Sequence, residues 1–275
     1  MYSIDKIINM LDCVENDKEI QKQGINIGKS VKHFEVFFQP NYPSGKMTWQ
    51  NCAEIICSKS NEELEPFLNL MFDWTIDLNW PGALLILKRL TNMTGNEKYE
   101  KCKNSFFNNL KGKYNEYVID YFEDYEHENG NIKKDIYNIN CDDKNNKVIF
   151  DIDKVYEMID IKNSKEIQKQ GIELAKNIKY LDCFLIAFKC ENMKNVQRNC
   201  AYIICNKSCK KLENYMIELF RFIRNLTIPG MSIVYEKLRE IRATNNEMFE
   251  DAKKIALFEA NELNDKIWIE NIQKL

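Results

Sequence analysis

Two carboxylates open the search for chemistry: Asp73 and Asp77 stand four residues apart in FDWTIDLNWPGA. On a helix that spacing puts both on one face, where they could hold a cation, contact a basic partner or act as an acid/base pair. No second pair and no histidine falls beside them to complete a site, so a solvated acidic face is the preferred reading. An enzyme using Asp73 and Asp77 is the alternative. Cys52 and Cys57, like Cys200 and Cys205, are five residues apart, about 140° around a helix, and do not share a ligand geometry. Cys205 and Cys209 are four apart and face one way, but zinc there ranks behind ordinary packing, because buried cysteine behaves as a small hydrophobe. His33 and His127 are the only histidines, and HExxH, GxGxxG and GxxxxGK[ST] are all missing. That argues against His-based metal sites and P-loop chemistry. The chain therefore reads as non-catalytic, with no metal and no cofactor.

The elements that must position these residues come in a repeated frame. Lys18 to Ile25 reads KEIQKQGI, and Lys165 to Ile172 repeats it letter for letter. Asn51, Cys52 and Ala53 return as Asn199, Cys200 and Ala201, after one inserted residue. Ile55, Ile56 and Cys57 return as Ile203, Ile204 and Cys205, Lys59 and Ser60 as Lys207 and Ser208, and Pro81 and Gly82 as Pro229 and Gly230. Upstream, Ile4, Asp5 and Lys6 return as Ile152, Asp153 and Lys154. Self-similarity of this kind predicts two tandem copies of one unit, over residues 1–124 and 151–275. A polar linker, 125–150, joins them. Within it, DIYNI and KVIFDI, around Cys141 to Lys147, read either as a short β-hairpin or as an irregular connection.

Each unit reads as helical. Leu64, Phe67, Leu68, Met71, Phe72 and Leu78 fall at helical spacing, and Leu212, Tyr215, Met216, Leu219, Phe220 and Leu226 keep that period with different letters. Pro81 and Pro229 suit the first turn of a following helix, which carries Ala83, Ile86, Leu87 and Leu90 or Met231, Val234, Tyr235 and Leu238. Residues 18–38 and 49–59 read as two further helices, with Pro40, Pro43 and Gly45 in the loop between them. Residues 99–111, 113–125, 248–262 and 265–275 close the units. The predicted class is all-α, with helix pairs stacked as an α-solenoid and a concave surface for binding.

Surface charge separates the copies. Lys59 stands against Glu62, Glu63, Glu65, Asp73 and Asp77, whereas Lys207, Lys210, Lys211, Arg221 and Arg224 stand against Glu213 and Glu218. Packing positions persist while the sign inverts, which would orient a partner of mixed charge if both segments face one groove. Trp80, opposite Ile228, is read as a core plug, with an interface anchor as the alternative. The partner-binding candidates are Glu62, Glu63, Asp73, Asp77, Trp80, Lys210, Lys211, Arg221 and Arg224.

Composition sets outer bounds. In 275 residues, 44% are hydrophobic and 29% charged, with 9 Gly and 5 Pro; few breakers suit long helices. A net charge of -3 gives the whole molecule no pull toward nucleic acid or an anionic membrane. No basic leader precedes an apolar core and no run of about 18 apolar residues occurs, so the expected location is the cytoplasm. There the ten cysteines are expected to remain unpaired.

Residues 64–90, with Trp74, Asp77, Asn79, Trp80, Pro81 and Ala83 spaced as W-x-x-D-x-N-W-P-x-A, resemble the signature of the DUF5071 family of small HEAT-like bacterial proteins. The second copy keeps only Pro229, Gly230 and the apolar pattern. The resemblance implies a HEAT-like fold, and such proteins are similar in size and gene style to immunity proteins of bacterial polymorphic toxin systems. The expected function is a non-catalytic protein-binding module that neutralises a cognate cytoplasmic toxin. A nucleic-acid-associated protein using residues 207–224 is a second reading, although the balancing acid elsewhere speaks against nucleic acid as partner.

Overall fold

Capping chemistry marks where many of the helices begin. In a computed structural model that describes residues 1–41, 45–113, 115–130 and 149–275, the chain divides into two compact units, Met1–Asp153 and Lys154–Leu275. The first holds α1 (Ile4–Met10), α2 (Lys18–Gly28), α3 (Trp49–Cys57), α4 (Asn61–Leu64), α5 (Leu68–Trp74), α6 (Ala83–Thr91), α7 (Glu97–Leu110) and α8 (Tyr117–Gly130). Helix α9 (Asp151–Ile159) leads into the second, which continues with α10 (Lys165–Ala175), α11 (Asp182–Leu185), α12 (Lys194–Cys205), α13 (Cys209–Leu212), α14 (Met216–Phe222), α15 (Met231–Thr244), α16 (Asn246–Glu262) and α17 (Lys266–Gln273). Asp17, Ser60, Asn96, Ser164 and Asp265 each accept from a backbone N–H in the first turn of the helix that follows, satisfying donors that have no intrahelical partner. Ser60 and Glu63 form a full capping box.

The protein is all-α. Among the described residues no sheet forms, and one isolated parallel bridge pairs Tyr2 with Phe150. No helix among the described residues is long and apolar enough to cross a membrane.

Each unit has its own core. In the first, the Phe72 ring lies 5.6 Å from Tyr99, 5.2 Å from Phe106 and 5.6 Å from Phe122, joining α5, α7 and α8. In the second, Phe220 lies 5.3 Å from Phe249, and Trp268 Nε1 donates to the Phe220 carbonyl at 2.7 Å. Burying each such ring contributes about 2–3 kcal/mol.

Several helices stop earlier than their apolar period suggests. The single helix expected over 18–38 ends at Gly28, and a 3-10 turn follows at Phe34–Phe37. A lysine side chain ties off that end: buried Lys59 donates Nζ to the carbonyls of Lys29 and Val31, at 2.8 and 3.1 Å, matching a cation to the negative end of α2. The stretch read as one helix from Leu64 to Leu78 is α4, a 3-10 turn containing Pro66, and α5. Consequently Leu78 is only half-buried, and Leu226, in the matching turn, is exposed. Pro81 does not open α6. Gly82, with φ +82°, is the N-cap and the helix starts at Ala83. The stretch read as linker begins later than residue 125, because α8 continues to Gly130. The hairpin candidate around Cys141 to Lys147 lies outside the described residues.

Candidate partner-binding surface

The letters that recur in the sequence hold helix against helix. Asn51 on α3 donates Nδ2 to the Leu11 carbonyl at 2.8 Å and to Gln21 Oε1 on α2 at 2.9 Å. In the second unit Asn199 on α12 donates to the Ile159 carbonyl at 2.7 Å and to Gln168 Oε1 on α10 at 3.0 Å. Thus the Gln of KEIQKQGI serves one buried amide. Its Gly serves close approach: a Cβ at Gly24 would lie 2.9 Å from the Met10 Cβ, and one at Gly171 2.8 Å from the Met158 Cβ. Gly82 and Gly230, both at positive φ, press on Ala53 and Ala201, where an added Cβ would fall at 2.6 and 2.7 Å. Lys207 repeats the role of Lys59, donating to the carbonyls of Lys176 and Ile178 at 3.2 and 3.1 Å. The recurring cysteines are buried or nearly so. Burial pushes the Cys52, Cys57 and Cys205 thiols up to about 12, so at neutral pH they are protonated and unreactive.

The carboxylate pair does not assemble as its spacing predicts. Asp73 is exposed in the last turn of α5, but the helix ends at Trp74 and Asp77 lies in the turn beyond. There Asp77 accepts from the backbone N–H and the Nδ2 of Asn79, both at 3.0 Å, an Asx-type turn. The two carboxylates therefore do not share a helix face. Trp80 is half-buried, 5.7 Å from the Trp49 ring, and Lys46 sets its ammonium 5.5 and 5.4 Å from these two rings, a cation–π arrangement. Trp74, by contrast, is fully buried and donates Nε1 to the Pro81 carbonyl at 3.1 Å. Glu62 and Glu63 are exposed on α4. The Glu62 carboxyl is held below its usual range by its own backbone N–H, with Ser60 assisting.

In the second unit Lys210 and Lys211 are exposed on α13, but the two arginines have acidic neighbours. Arg221 forms a two-pronged pair with Glu259 at 2.9 and 2.6 Å and reaches Glu218 at 3.0 Å. Glu218 also takes Lys189 at 2.6 Å. Burial works to raise the Glu218 carboxyl, but Lys189 and Arg221 outweigh it and hold it below the ordinary value. Arg224 pairs with Asp265 at 2.5 Å. The positive excess read over residues 207–224 is thus largely neutralised by α16 and the turn before α17. Only Lys210 and Lys211 remain as that segment's exposed cations without an acidic partner within 4 Å among the described residues.

A second basic surface lies elsewhere, in a groove of about 640 Å³ between α10 and α12. Lys165 and Lys169 line one wall, Lys194, Arg198 and Tyr202 the other, and the Gln168–Asn199 amide pair forms the floor. All five wall residues are exposed. Among the described residues their cations have no carboxylate within 4 Å. The four-residue steps from Lys165 to Lys169 and from Lys194 to Arg198 are visible in the sequence. What the sequence does not show is that the two helices turn these faces toward each other.

Residues 43–159 match the family model of a domain of unknown function, DUF5071. The matched stretch covers under half of the chain. It contains Trp74 to Ala83, omits α1 and α2, and runs on through α9. No curated protein and no solved structure matches.

Proposed function

We propose that the chain is a non-catalytic protein-binding module, two tandem copies of one HEAT-like helical unit, acting as an immunity protein that neutralises a cytoplasmic bacterial toxin by direct binding. The observation that carries this reading is the division of labour between recurring and non-recurring residues. The recurring letters are engaged in the frame of their own unit: the Gln21–Asn51 pair in the first and Gln168–Asn199 in the second, and likewise Lys59 and Gly82 in the first, Lys207 and Gly230 in the second. The exposed positions between them differ in kind and charge, from Glu62 and Glu63 on α4 to Lys210 and Lys211 on α13. A catalytic duplication would be expected to hold its chemistry constant, whereas a binding scaffold keeps its frame and varies its surface. Burial of Cys52 and Cys57 and the dispersal of Asp73 and Asp77 favour binding over chemistry in the same way.

The test is co-expression of the full chain with the product of each flanking gene, followed by co-purification and growth rescue from any product that is toxic. A stable complex with one toxic product, together with restored growth, is the expected result. If no flanking product binds and none is neutralised, the immunity reading is overturned.

A further inference from the structure

We infer that the groove between α10 and α12 is the docking site for an acidic, amphipathic segment of a protein partner. This deepens the protein-binding reading, and rests on it, by naming the surface and the chemistry it takes.

The argument begins with register. On α10, Lys165 and Lys169 are one turn apart, and on α12, Lys194, Arg198 and Tyr202 occupy successive turns. Four helical residues rise about 6 Å, so each wall presents charge at the interval at which carboxylates recur along one face of a partner helix. The groove is not purely electrostatic. Ile161, Ile172 and Pro229 lie among its lining residues, and Ile161 is 52% exposed. Apolar contacts interleaved with cations match a segment carrying both leucine-like and glutamate-like side chains.

The alternative polyanion is a nucleic acid, and the groove suits it less well. Strand-tracking surfaces combine cations with open aromatic faces on which bases stack. Here the one aromatic wall residue, Tyr202, has the Arg198 guanidinium 6.0 Å from its ring. The floor amides that might read a base edge already bond to one another and to the Ile159 carbonyl.

The first unit supplies an internal control. The positions matching Lys165, Lys169, Lys194, Arg198 and Tyr202 are Lys18, Lys22, Lys46, Gln50 and Glu54, so the arginine and the tyrosine are what the first unit lacks. Gln50 Oε1 accepts from the Gly82 N–H at 2.9 Å, and Glu54 is an exposed acid. The corresponding surface is therefore part-tied to the frame, with Lys46 set against the rings of Trp49 and Trp80, and it carries a carboxylate where the groove has Tyr202.

The experiment uses the full chain and a fluorescein-labelled synthetic peptide of about four helical turns, with Glu and Leu on one face, titrated by fluorescence anisotropy. Parallel arms use a Lys-for-Glu version of the peptide and an oligouridylate of equal charge. Saturable binding of the acidic peptide is expected, weakening steeply with salt. Lys169→Glu with Arg198→Glu should reduce it roughly tenfold or more, the milder Lys169→Ala with Arg198→Ala by less, and Lys22→Glu with Gln50→Glu should leave it unchanged. Unchanged thermal unfolding of each variant separates loss of the surface from loss of the fold. No saturable peptide binding, an equal loss in the first-unit control, or tighter binding of the oligouridylate would each overturn the assignment. A flanking-gene product that still bound and was still neutralised after Lys169→Glu and Arg198→Glu would reject this groove while leaving the immunity reading standing on another face.

Discussion

The α2–α3 surface of the first unit and the α10–α12 surface of the second are framed by the same amide pair, Gln21 with Asn51 and Gln168 with Asn199. Around that pair the linings diverge. The first carries Gln50, bonded to the backbone of Gly82, and Glu54, and sets Lys46 against the rings of Trp49 and Trp80. The second carries Arg198, Tyr202 and Lys194, with no carboxylate within 4 Å of the cations among the described residues. The difference teaches that buried positions and exposed positions in this chain answer to separate demands. Burial imposes a fixed geometry on amides and glycines, because an unpaired polar group or a misplaced Cβ costs stability wherever it occurs. Exposed positions are under no such constraint and are free to vary.

The largest expected effects test whether the frame is equivalent in the two units. Gly82→Ala and Gly230→Ala each place a Cβ on a left-handed backbone, at φ +82° and +96°, and drive it to 2.6 and 2.7 Å from the Cβ of Ala53 and Ala201. Each should cost about 3 kcal/mol in urea denaturation. A normal unfolding curve for one and not the other would break the equivalence. Asn51→Ala and Asn199→Ala leave a carbonyl and a glutamine oxygen short of a donor, at about 2 kcal/mol each. The loss should be larger for Asn199, whose bond to Gln168 is wholly buried where that of Asn51 to Gln21 is part-buried.

Smaller effects sharpen the contrast in charge. Glu218→Gln weakens the links to Lys189 and Arg221, with an expected loss of about 1 kcal/mol at neutral pH. Its pH dependence has a definite sign. The folded carboxyl sits below the ordinary value of 4.5, so its stabilisation is present above that value and disappears as pH falls through the folded one. Wild type should therefore lose its advantage over Glu218→Gln in acid, and a difference that grew on acidification would contradict the assignment. The smallest effect is for Arg224→Ala. Its pair with Asp265 is solvent-facing and should be worth no more than about 0.5 kcal/mol.

Much of the frame was legible because its signals are local or repeated. Within KEIQKQGI, NCA and the Pro-Gly pair, Gln21, Gly24, Asn51 and Gly82 make close or polar contacts between helices, whereas Pro81 does not start the helix its type suggests. Helix existence was equally readable, but helix ends were not. Gly28 ends α2 beside a lysine some 30 residues further on, and α5 stops at Trp74 although the apolar period continues to Leu78. That early stop removes Asp77 from the face it was expected to share with Asp73. Among the partner-binding candidates, Arg221 and Arg224 looked like surface cations because Glu259 and Asp265 are 38 and 41 residues away in the chain. The α10–α12 groove was missed because its cations are split between two segments, each unremarkable alone.

From the letters alone came the helical class and the recurring pattern, which follow from periodicity and self-similarity. That the recurring residues hold helix to helix emerged only with their neighbours in space. Tertiary structure alone decided which charges are cancelled and which remain available. Coulomb interactions depend on distance through space, and only folding brings α14 to α16 or turns the basic faces of α10 and α12 toward one groove.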